Sequence, residues 1–472
     1  MKSMRTALLA AVLLAACKSA EKPPKTAVIL IGQDLDRTGS MATPSWSEAV
    51  RLAVGTANQA LKVAGRTDLR FDLVTGNSGN APDVARATAT ELVRKDGARA
   101  IITDSSQDDI AVNMLAYGDA GESLEVPILC MACTAPEIND PAATDANPVK
   151  QMALRNSKHW NFRTVMSASY QARMLIRMLL SWGHNGDVDG DGRFKLSIYA
   201  GDDAYGRGFS NELKRIAQES RPDATVEQIY VGSQVDPATY DWAADVRRLA
   251  DNKNESSGKI DGVPDAVVEI TFPKLSIGFT RAWLAAGSKV HLVHTHNFRA
   301  ARVIDALGDK LEGQEGTSQA LLGQGPSAAA FASDLRAATG QEPAFRDSAA
   351  YDAATSVVLA ALVAVQKEKL ADPAQLTGAQ LRDALGSINV RGGEPVFAGI
   401  EGMVRAVRLI QENRPINYAG ASGPCDFDAN GDVVAQLVRF RVENKAFVDV
   451  ERFDCIKDKD CAPMRGSVLS VR

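Results

Sequence analysis

No concentration of positive charge stands out in this chain of 472 residues, whose net charge is −5 with both signs interspersed. Without a basic patch, nucleic acid is not an expected partner. After the first 16 residues no stretch reads as apolar enough to cross a membrane, so the sequence predicts no later transmembrane segment. Hydrophobic residues at 45% and charged residues at 24% are typical of a globular protein.

Motifs of common catalytic chemistry are also missing. The chain has no glycine–lysine phosphate loop and no G-x-G-x-x-G run after its first predicted strand, which gives nucleotide binding little support. No Ser-His-Asp, paired-carboxylate or phosphate-binding arrangement rises above chance. We therefore expect no cofactor and a protein that is not an enzyme.

The N-terminus has the features of a bacterial lipoprotein signal. Two basic residues precede an apolar run over residues 7–16, which is too short to span a bilayer. Cys17 follows this run directly and completes the sequence LAAC at 14–17. This pattern predicts cleavage after residues 1–16 and lipid on Cys17; an ordinary signal peptide with a chance cysteine is the alternative. Lys18 favours the outer membrane, and residues 17–25 read as a polar tether.

Five cysteines remain after Cys17, and outside the cytoplasm they can oxidise. An odd number leaves at least one thiol free or paired between chains. Cys455 and Cys461 close a short loop and are the best candidates for a disulfide. Cys130 and Cys133 have redox spacing but follow a buried strand, which favours a structural bridge or two inert thiols over a catalytic pair. Cys425 competes for either pairing.

Short apolar strands alternate with amphipathic helices along the rest of the chain. A strand over 26–31 precedes a helix over 46–63, and the pattern resumes with a strand over 195–200. Continuous apolar strands between helices indicate parallel sheets that are buried on both faces. The chain is long enough for two domains, and two such blocks, before and after Arg163, predict an α/β fold with two doubly wound lobes.

Small, hydroxyl-bearing and aromatic residues follow the carboxyl ends of several predicted strands. Open parallel sheets bind ligands at this edge. The residues are Ser105, Ser106, Thr134, Tyr205 and Phe272. Hydroxyls and helix-start amides suit an anionic group such as a carboxylate.

An ordered set of short motifs carries a family resemblance. They are TGS at 38–40, SS at 105–106, ACTAPE at 132–137, FRT at 162–164, DDAYGRG at 202–208, AYDA at 350–353 and SGPCDFDANGD at 422–432. The chain resembles the type I periplasmic binding proteins of branched-chain amino acid ABC transporters. The resemblance implies two lobes joined by a hinge of three crossovers. It places residues 26–163 and 325–424 in the N-terminal lobe, and residues 164–324 and 425–472 in the C-terminal lobe.

The resemblance also implies roles for individual residues in a ligand cleft. Ser105, Ser106 and Thr134 would hold a ligand carboxylate from the first lobe. Trp46 would face the ligand side chain. Tyr205 and Phe272 would close from the second lobe. For these three aromatic residues, packing in the core or hinge is the alternative.

His296 marks a departure from the family. The amino acid binders have an acidic residue near this position, which pairs with the ammonium group of the ligand. Histidine is neutral or positive near pH 7 and cannot replace that carboxylate. The ligand is therefore expected to lack the amine and to be a carboxylate or a neutral polar molecule, with His296 or Asn297 donating to it. Glu269 is the alternative source of the missing charge.

Asp187, Asp189 and Asp191 form an Asp-x-Asp-x-Asp-Gly run that is similar to the start of a calcium loop. The twelfth position is Ile198, where such a loop has a bidentate glutamate. The sequence is compatible with both a structural calcium site and a solvated acidic turn.

These observations predict a lipid-anchored, periplasm-facing binding protein that captures a small polar or carboxylate ligand for an ABC permease. A lipid-anchored sensor or scaffold with the same fold and no transport role is the alternative. In both readings the lipid anchor is the only contact with the membrane.

Overall fold

A computed structural model describes residues 26–117, 123–139, 159–232, 235–250, 262–456 and 461–464. The signal sequence, the lipidation site Cys17 and the tether through residue 25 lie outside the described residues.

The described strands and helices alternate through most of the chain. The strands are β1 Ala27–Leu35, β2 Leu69–Asn77, β3 Ala100–Thr103, β4 Ile128–Cys130, β5 Asn161–Arg163, β6 Lys195–Gly201, β7 Thr225–Val231, β8 Ala266–Ile270, β9 His291–His294, β10 Glu315–Gln319, β11 Glu394–Phe397, β12 Ile416–Ala419, β13 Gln436–Glu443, β14 Ala446–Asp454 and β15 Ala462–Pro463. The helices are α1 Pro44–Val63, α2 Pro82–Arg94, α3 Ser106–Tyr117, α4 Ala168–Leu180, α5 Ala204–Ser220, α6 Trp242–Ala250, α7 Pro273–Ala286, α8 Ala301–Leu307, α9 Pro326–Thr339, α10 Asp347–Lys367, α11 Gly378–Leu385 and α12 Gly399–Gln411.

Two separate sheets form the centres of two lobes. The first sheet is parallel with strand order β2-β1-β3-β4-β5, and the second has the order β15-β14-β13-β10-β9-β8-β6-β7. Strands β3, β4, β6 and β8 are buried along their whole length, as expected for parallel strands with helices on both faces. The predicted α/β fold with two doubly wound lobes is confirmed. The antiparallel edge β13–β15 of the second sheet is an addition to that prediction.

The chain passes between the two lobes three times. It leaves the first sheet after β5 and returns after β10, where α9, α10 and α12 pack against α1 and α11 packs against α10. It crosses back after β12 to complete the second sheet with β13–β15. Three crossings are the connectivity that the resemblance implies. The boundaries at residues 163, 324 and 424 stay a prediction.

Helix α10 is the core helix of the first lobe. It is long and apolar enough to cross a membrane, which corrects the expectation that no later segment has such a composition. Its 18-residue apolar window is 94% buried inside the protein, however, where it packs against α1. A buried core helix and a membrane span both need an apolar surface all round, so composition alone does not separate them.

Candidate functional site

A cavity of about 450 Å³ opens between the two lobes. This volume suits a small organic ligand. The first lobe lines it with the loop and helix start at residues 41–46 and with Gln341, Ala344 and Phe345; the second lobe contributes Pro273, Asn297 and residues 299–302.

Arg302 joins the two walls of this cavity. From α8 in the second lobe, its guanidinium donates to the carbonyl oxygens of Ser40 and Ala42 in the first lobe, at 3.3 and 2.7 Å. The two lobes therefore contact each other across the cleft, and the conformation is closed.

Of the three hydroxyls predicted to hold a carboxylate, two are engaged within the first lobe. Ser105 Oγ accepts from the Asp108 amide, and Ser106 Oγ accepts from the Ala135 amide, both at 3.3 Å. The second bond ties the start of α3 to the loop after β4. Thr134 Oγ1 lies in that loop, is buried and has no hydrogen-bond partner among the described residues. Accepting a bond does not use the O–H of a serine, so Thr134 differs from the two serines in having no bond at all to its hydroxyl among the described residues.

The predicted aromatic residues of the second lobe form one cluster. Tyr205, at the start of α5, stacks on Phe272, with ring centroids 5.5 Å apart, and its hydroxyl bonds Thr295 Oγ1 at 2.8 Å. The ring of His296 lies 5.0 Å from that of Tyr205 and 5.9 Å from that of Phe345 in the first lobe. His296 therefore lies at the junction of the lobes.

Trp46 lies where both of its predicted roles would place it, and its contact with a ligand stays a prediction. Its side chain belongs to the core of the first lobe and also lines the cavity. Its Nε1 donates to the carbonyl oxygen of Phe345 at 2.8 Å, which fixes the segment before α10.

His296 is neutral and presents a hydrogen-bond acceptor. Burial, reinforced by the positive charge of Arg346, holds the pKa of His296 well below its usual value. The side-chain nitrogen of Gln171 donates to the carbonyl oxygen of Thr317 at 2.7 Å. The other end of this amide, Gln171 Oε1, therefore faces His296 Nδ1, also at 2.7 Å. An oxygen acceptor there requires a proton on Nδ1, which leaves Nε2 as the unprotonated atom. Nε2 is buried and has no partner among the described residues.

This tautomer changes the role expected of His296, because Nε2 accepts a hydrogen bond and does not donate one. Asn297 keeps its expected place on the cavity wall. Glu269 is engaged inside the second lobe, where its carboxylate accepts from Thr271 and Ser276 and contacts His294 Nδ1 at 3.1 Å.

Arg346, next to the cavity residue Phe345, is the main candidate residue that the sequence did not predict. It follows Phe345, directly before α10, with a left-handed φ of 71°. The side chain is buried, its Cζ lies 4.7 Å from the Phe345 ring centroid, and Nε and Nη1 have no partner in the described part of the chain. Burial lowers the pKa of Arg346 to about 9. The sequence offers only FRD before an apolar helix, and most arginines in such positions are exposed.

A group of buried carboxyls lies at the same edge of the first sheet. Asp34 is the last residue but one of β1, Asp104 follows β3, and Asp108 lies in the first turn of α3. Burial raises the pKa of Asp34 to about 8 and that of Asp108 to about 7, and it raises the pKa of Asp104 well above its usual value. Asp104 Oδ2 also accepts from the Asp36 amide at 2.8 Å. These carboxyls support the strand ends from which Ser105 and Ser106 project.

The three aspartates of the predicted calcium loop are brought together around a lysine. Asp187 accepts from the amides of Gly190 and Gly192, at 2.7 and 2.8 Å. Lys195 Nζ lies 2.7 Å from Asp189 and 2.6 Å from Asp191. An ammonium thus neutralises two of the three carboxylates, and calcium binding stays a prediction.

Two cysteine pairs are bonded. Cys455 is joined to Cys461, the pairing that the sequence favours, and Cys130 is joined to Cys133 in front of Thr134. Cys425 is a buried free thiol and pairs with neither.

Comparison with known proteins assigns the family. The sequence profile described as "Periplasmic binding protein" matches residues 28–406. The chain belongs to the periplasmic binding protein family. Membership confirms the resemblance and, at the level of the family, supports a binding protein over an enzyme and a location outside the cytoplasm. No curated protein sequence matches the chain.

Solved structures of other periplasmic binding proteins share the fold. A leucine-binding protein, LivK, from Thermotoga maritima is 17% identical, with a TM-score of 0.63 over 90% of this chain and 98% of that one. A solute-binding protein from Rhodopseudomonas palustris, solved with benzoate, is 15% identical, with a TM-score of 0.64 over 93% and 97%. Another from the same species, solved with 3,4-dihydroxybenzoic acid, is 17% identical, with a TM-score of 0.61 over 91% and 98%.

Proposed function

We propose that this periplasmic binding protein captures a small organic carboxylate between its lobes and delivers it to an ABC permease. The observation that carries the proposal is the cleft itself, a cavity of about 450 Å³ between the lobes whose wall includes Asn297 and Phe345, the neighbours of His296 in sequence and in space. Buried polar atoms of Thr134 and His296 have no partner among the described residues. Buried polar groups are nearly always hydrogen-bonded, so unpaired ones at a lobe junction favour a ligand there.

The same fold in other proteins accommodates two ligand classes. The structures compared above include a leucine-binding protein and proteins solved with benzoate or 3,4-dihydroxybenzoate. A carboxylate is common to all of these ligands. In this chain Glu269 is already engaged with its neighbours, and an unpaired ammonium in the cleft would be costly to bury. This favours a carboxylate without an amine over an α-amino acid.

Lipidation at Cys17 would hold the protein at the membrane surface and would raise the local concentration of captured solute near a permease. The LAAC signal supports this part of the proposal.

Calorimetry on purified protein, stripped of bound solute by partial unfolding and refolding, tests the proposal. We expect micromolar binding of a simple aromatic or aliphatic carboxylate. No binding across carboxylates and the twenty amino acids would overturn solute capture. Tighter binding of leucine, isoleucine or valine than of any carboxylate would restore an amino acid as the ligand. Uptake that is unchanged in a deletion strain would favour the sensor reading over import.

A further inference from the structure

We infer that Arg346 and His296 select the ligand as a pair: Arg346 binds a carboxylate, and His296 Nε2 accepts a hydrogen bond from a hydroxyl of the same aromatic ligand. The inference rests on the proposed function and narrows it to hydroxylated aromatic carboxylates.

The guanidinium of Arg346 lacks a counter-ion within the described residues. Its Nε and Nη1 are buried and have no hydrogen-bond partner in the described part of the chain. Burying an unpaired cation is costly because the charge loses its hydration, so a protein core rarely retains one without an anion to pair with it. A planar carboxylate fits the fork of a guanidinium through two parallel hydrogen bonds.

Arg346 directly follows Phe345, which lines the cavity and whose ring lies 5.9 Å from that of His296. Arg163 donates to the carbonyls of Cys133 and Ala135, on either side of Thr134, at 3.4 and 2.8 Å. Arg346 acts electrostatically on both Arg163 and His296. The left-handed backbone at Arg346 is disfavoured for a residue with a side chain, and such strain concentrates at binding sites.

His296 supplies the second half of the selection. Because Gln171 holds the proton on Nδ1, the unpartnered Nε2 is a pure acceptor. A carboxylate or an unsubstituted ring offers it no proton, whereas a hydroxyl does. A hydroxyl-bearing ligand is therefore favoured over its analogue without the hydroxyl, because that analogue leaves Nε2 buried and unpaired.

The surrounding side chains favour a flat ligand body. Tyr205 stacks on Phe272, the His296 ring is tilted against that of Tyr205, and Phe345 approaches His296 from the other lobe. Aromatic faces pack well against a ring through offset or edge-to-face contacts.

Three probes separate the two contributions: 4-hydroxybenzoate, benzoate and 4-hydroxybenzamide, measured by calorimetry on the stripped protein. We expect the parent to bind 4-hydroxybenzoate at least about tenfold more tightly than each of the other two.

The Arg346→Met variant should lose the preference for acid over amide. The His296→Phe variant should lose the preference for the hydroxyl and keep that for the acid. Arg281→Met, which removes an exposed arginine from α7, is the matched control and should keep both preferences.

Arg346→Lys keeps the charge without the fork and serves if Arg346→Met does not fold; it should reduce the acid preference by about tenfold. A parent that binds the amide as tightly as the acid, or benzoate as tightly as 4-hydroxybenzoate, overturns the inference without any variant and leaves solute capture intact. Preferences that survive in both substituted proteins also overturn it. If the protein binds an amino acid but none of the three probes, hydroxylated aromatic carboxylates are rejected as ligands and solute capture stands. If it binds no small molecule at all, the proposed function itself is rejected.

Discussion

At the level of single residues, the Thr134 hydroxyl has opposite consequences for binding and for stability. In the closed conformation it is a buried polar atom without a partner among the described residues. Replacing it with a methyl of similar size removes an unsatisfied group, so Thr134→Val should leave the free energy of unfolding unchanged or raise it. A ligand carboxylate would lose one hydrogen bond, so affinity should fall about tenfold or more.

Calorimetry and urea unfolding check this prediction, and Thr134→Ser, which keeps the hydroxyl, is the control. Equal affinities of Thr134→Val and the parent would remove Thr134 from the site.

The buried carboxyl of Asp34 predicts a pH dependence of stability. Its pKa in the folded protein is about 8, against a reference value of 3.8, so the folded state holds the proton more tightly than the unfolded chain. This contribution is complete below about pH 4 and is lost as the pH rises through 8. Between pH 5 and pH 8 the free energy of unfolding should therefore fall by about 2–4 kcal/mol less in the Asp34→Asn variant than in the parent.

Urea unfolding at the two pH values measures that difference. Asp83→Asn changes an exposed carboxyl in the first turn of α2 and should follow the parent. Parallel pH profiles for Asp34→Asn and the parent would mean that Asp34 is ionised in the folded protein.

Among the structural elements, the acidic loop between α4 and β6 shows how one lysine changes the chemistry of a loop. Lys195 Nζ contacts both Asp189 and Asp191, and a calcium ion would compete with it for those oxygens. Millimolar calcium should therefore raise the melting temperature of a Lys195→Met variant by about 2–5 °C and that of the parent by less.

Magnesium, which demands tighter octahedral geometry, is the control ion for the melting experiment. An equal calcium effect on both proteins would show that the ammonium does not compete. No effect on either would identify the loop as an acidic turn.

For the molecule as a whole, ligand binding should act as closure of the two lobes about the three crossings. Only a closed conformation contacts the ligand from both sides, so a ligand should shift the population toward it. Small-angle scattering should give a smaller radius of gyration with saturating ligand. Arg302→Met removes the bonds to Ser40 and Ala42 and should enlarge the unliganded protein. An unchanged radius on proven binding would count against a hinge.

Attachment to the membrane is the second whole-molecule prediction. A Cys17→Ala variant should move from the membrane fraction to the soluble fraction, because the acylated thiol is lost. Western blotting of fractionated cells measures this, with a Cys425→Ala variant, which alters the buried free thiol, as the control. Retention of Cys17→Ala in the membrane would exclude lipidation as the anchor.

The sequence was sufficient to predict the fold because its signals are local. Apolar strands such as the one over 195–200 and helices such as the one over 46–63 follow from hydrophobic period alone, and strand ends in a parallel sheet share one edge. Ser105, Ser106, Thr134 and Tyr205 were placed near that edge on this ground.

Tertiary structure decided which of these residues remain available to a ligand, because hydrogen bonds between distant segments are not encoded in local pattern. Ser106 Oγ accepts a hydrogen bond from the Ala135 amide. The tautomer of His296 is set by its hydrogen bond to Gln171, which lies 125 residues away in sequence. Arg346 is the clearest case: the sequence shows an ordinary arginine before a helix, and its proposed role in binding rests on its burial without a counter-ion among the described residues. Solvation and pairing depend on the whole chain, and therefore the sequence determined the scaffold while the three-dimensional contacts determined the chemistry of the cleft.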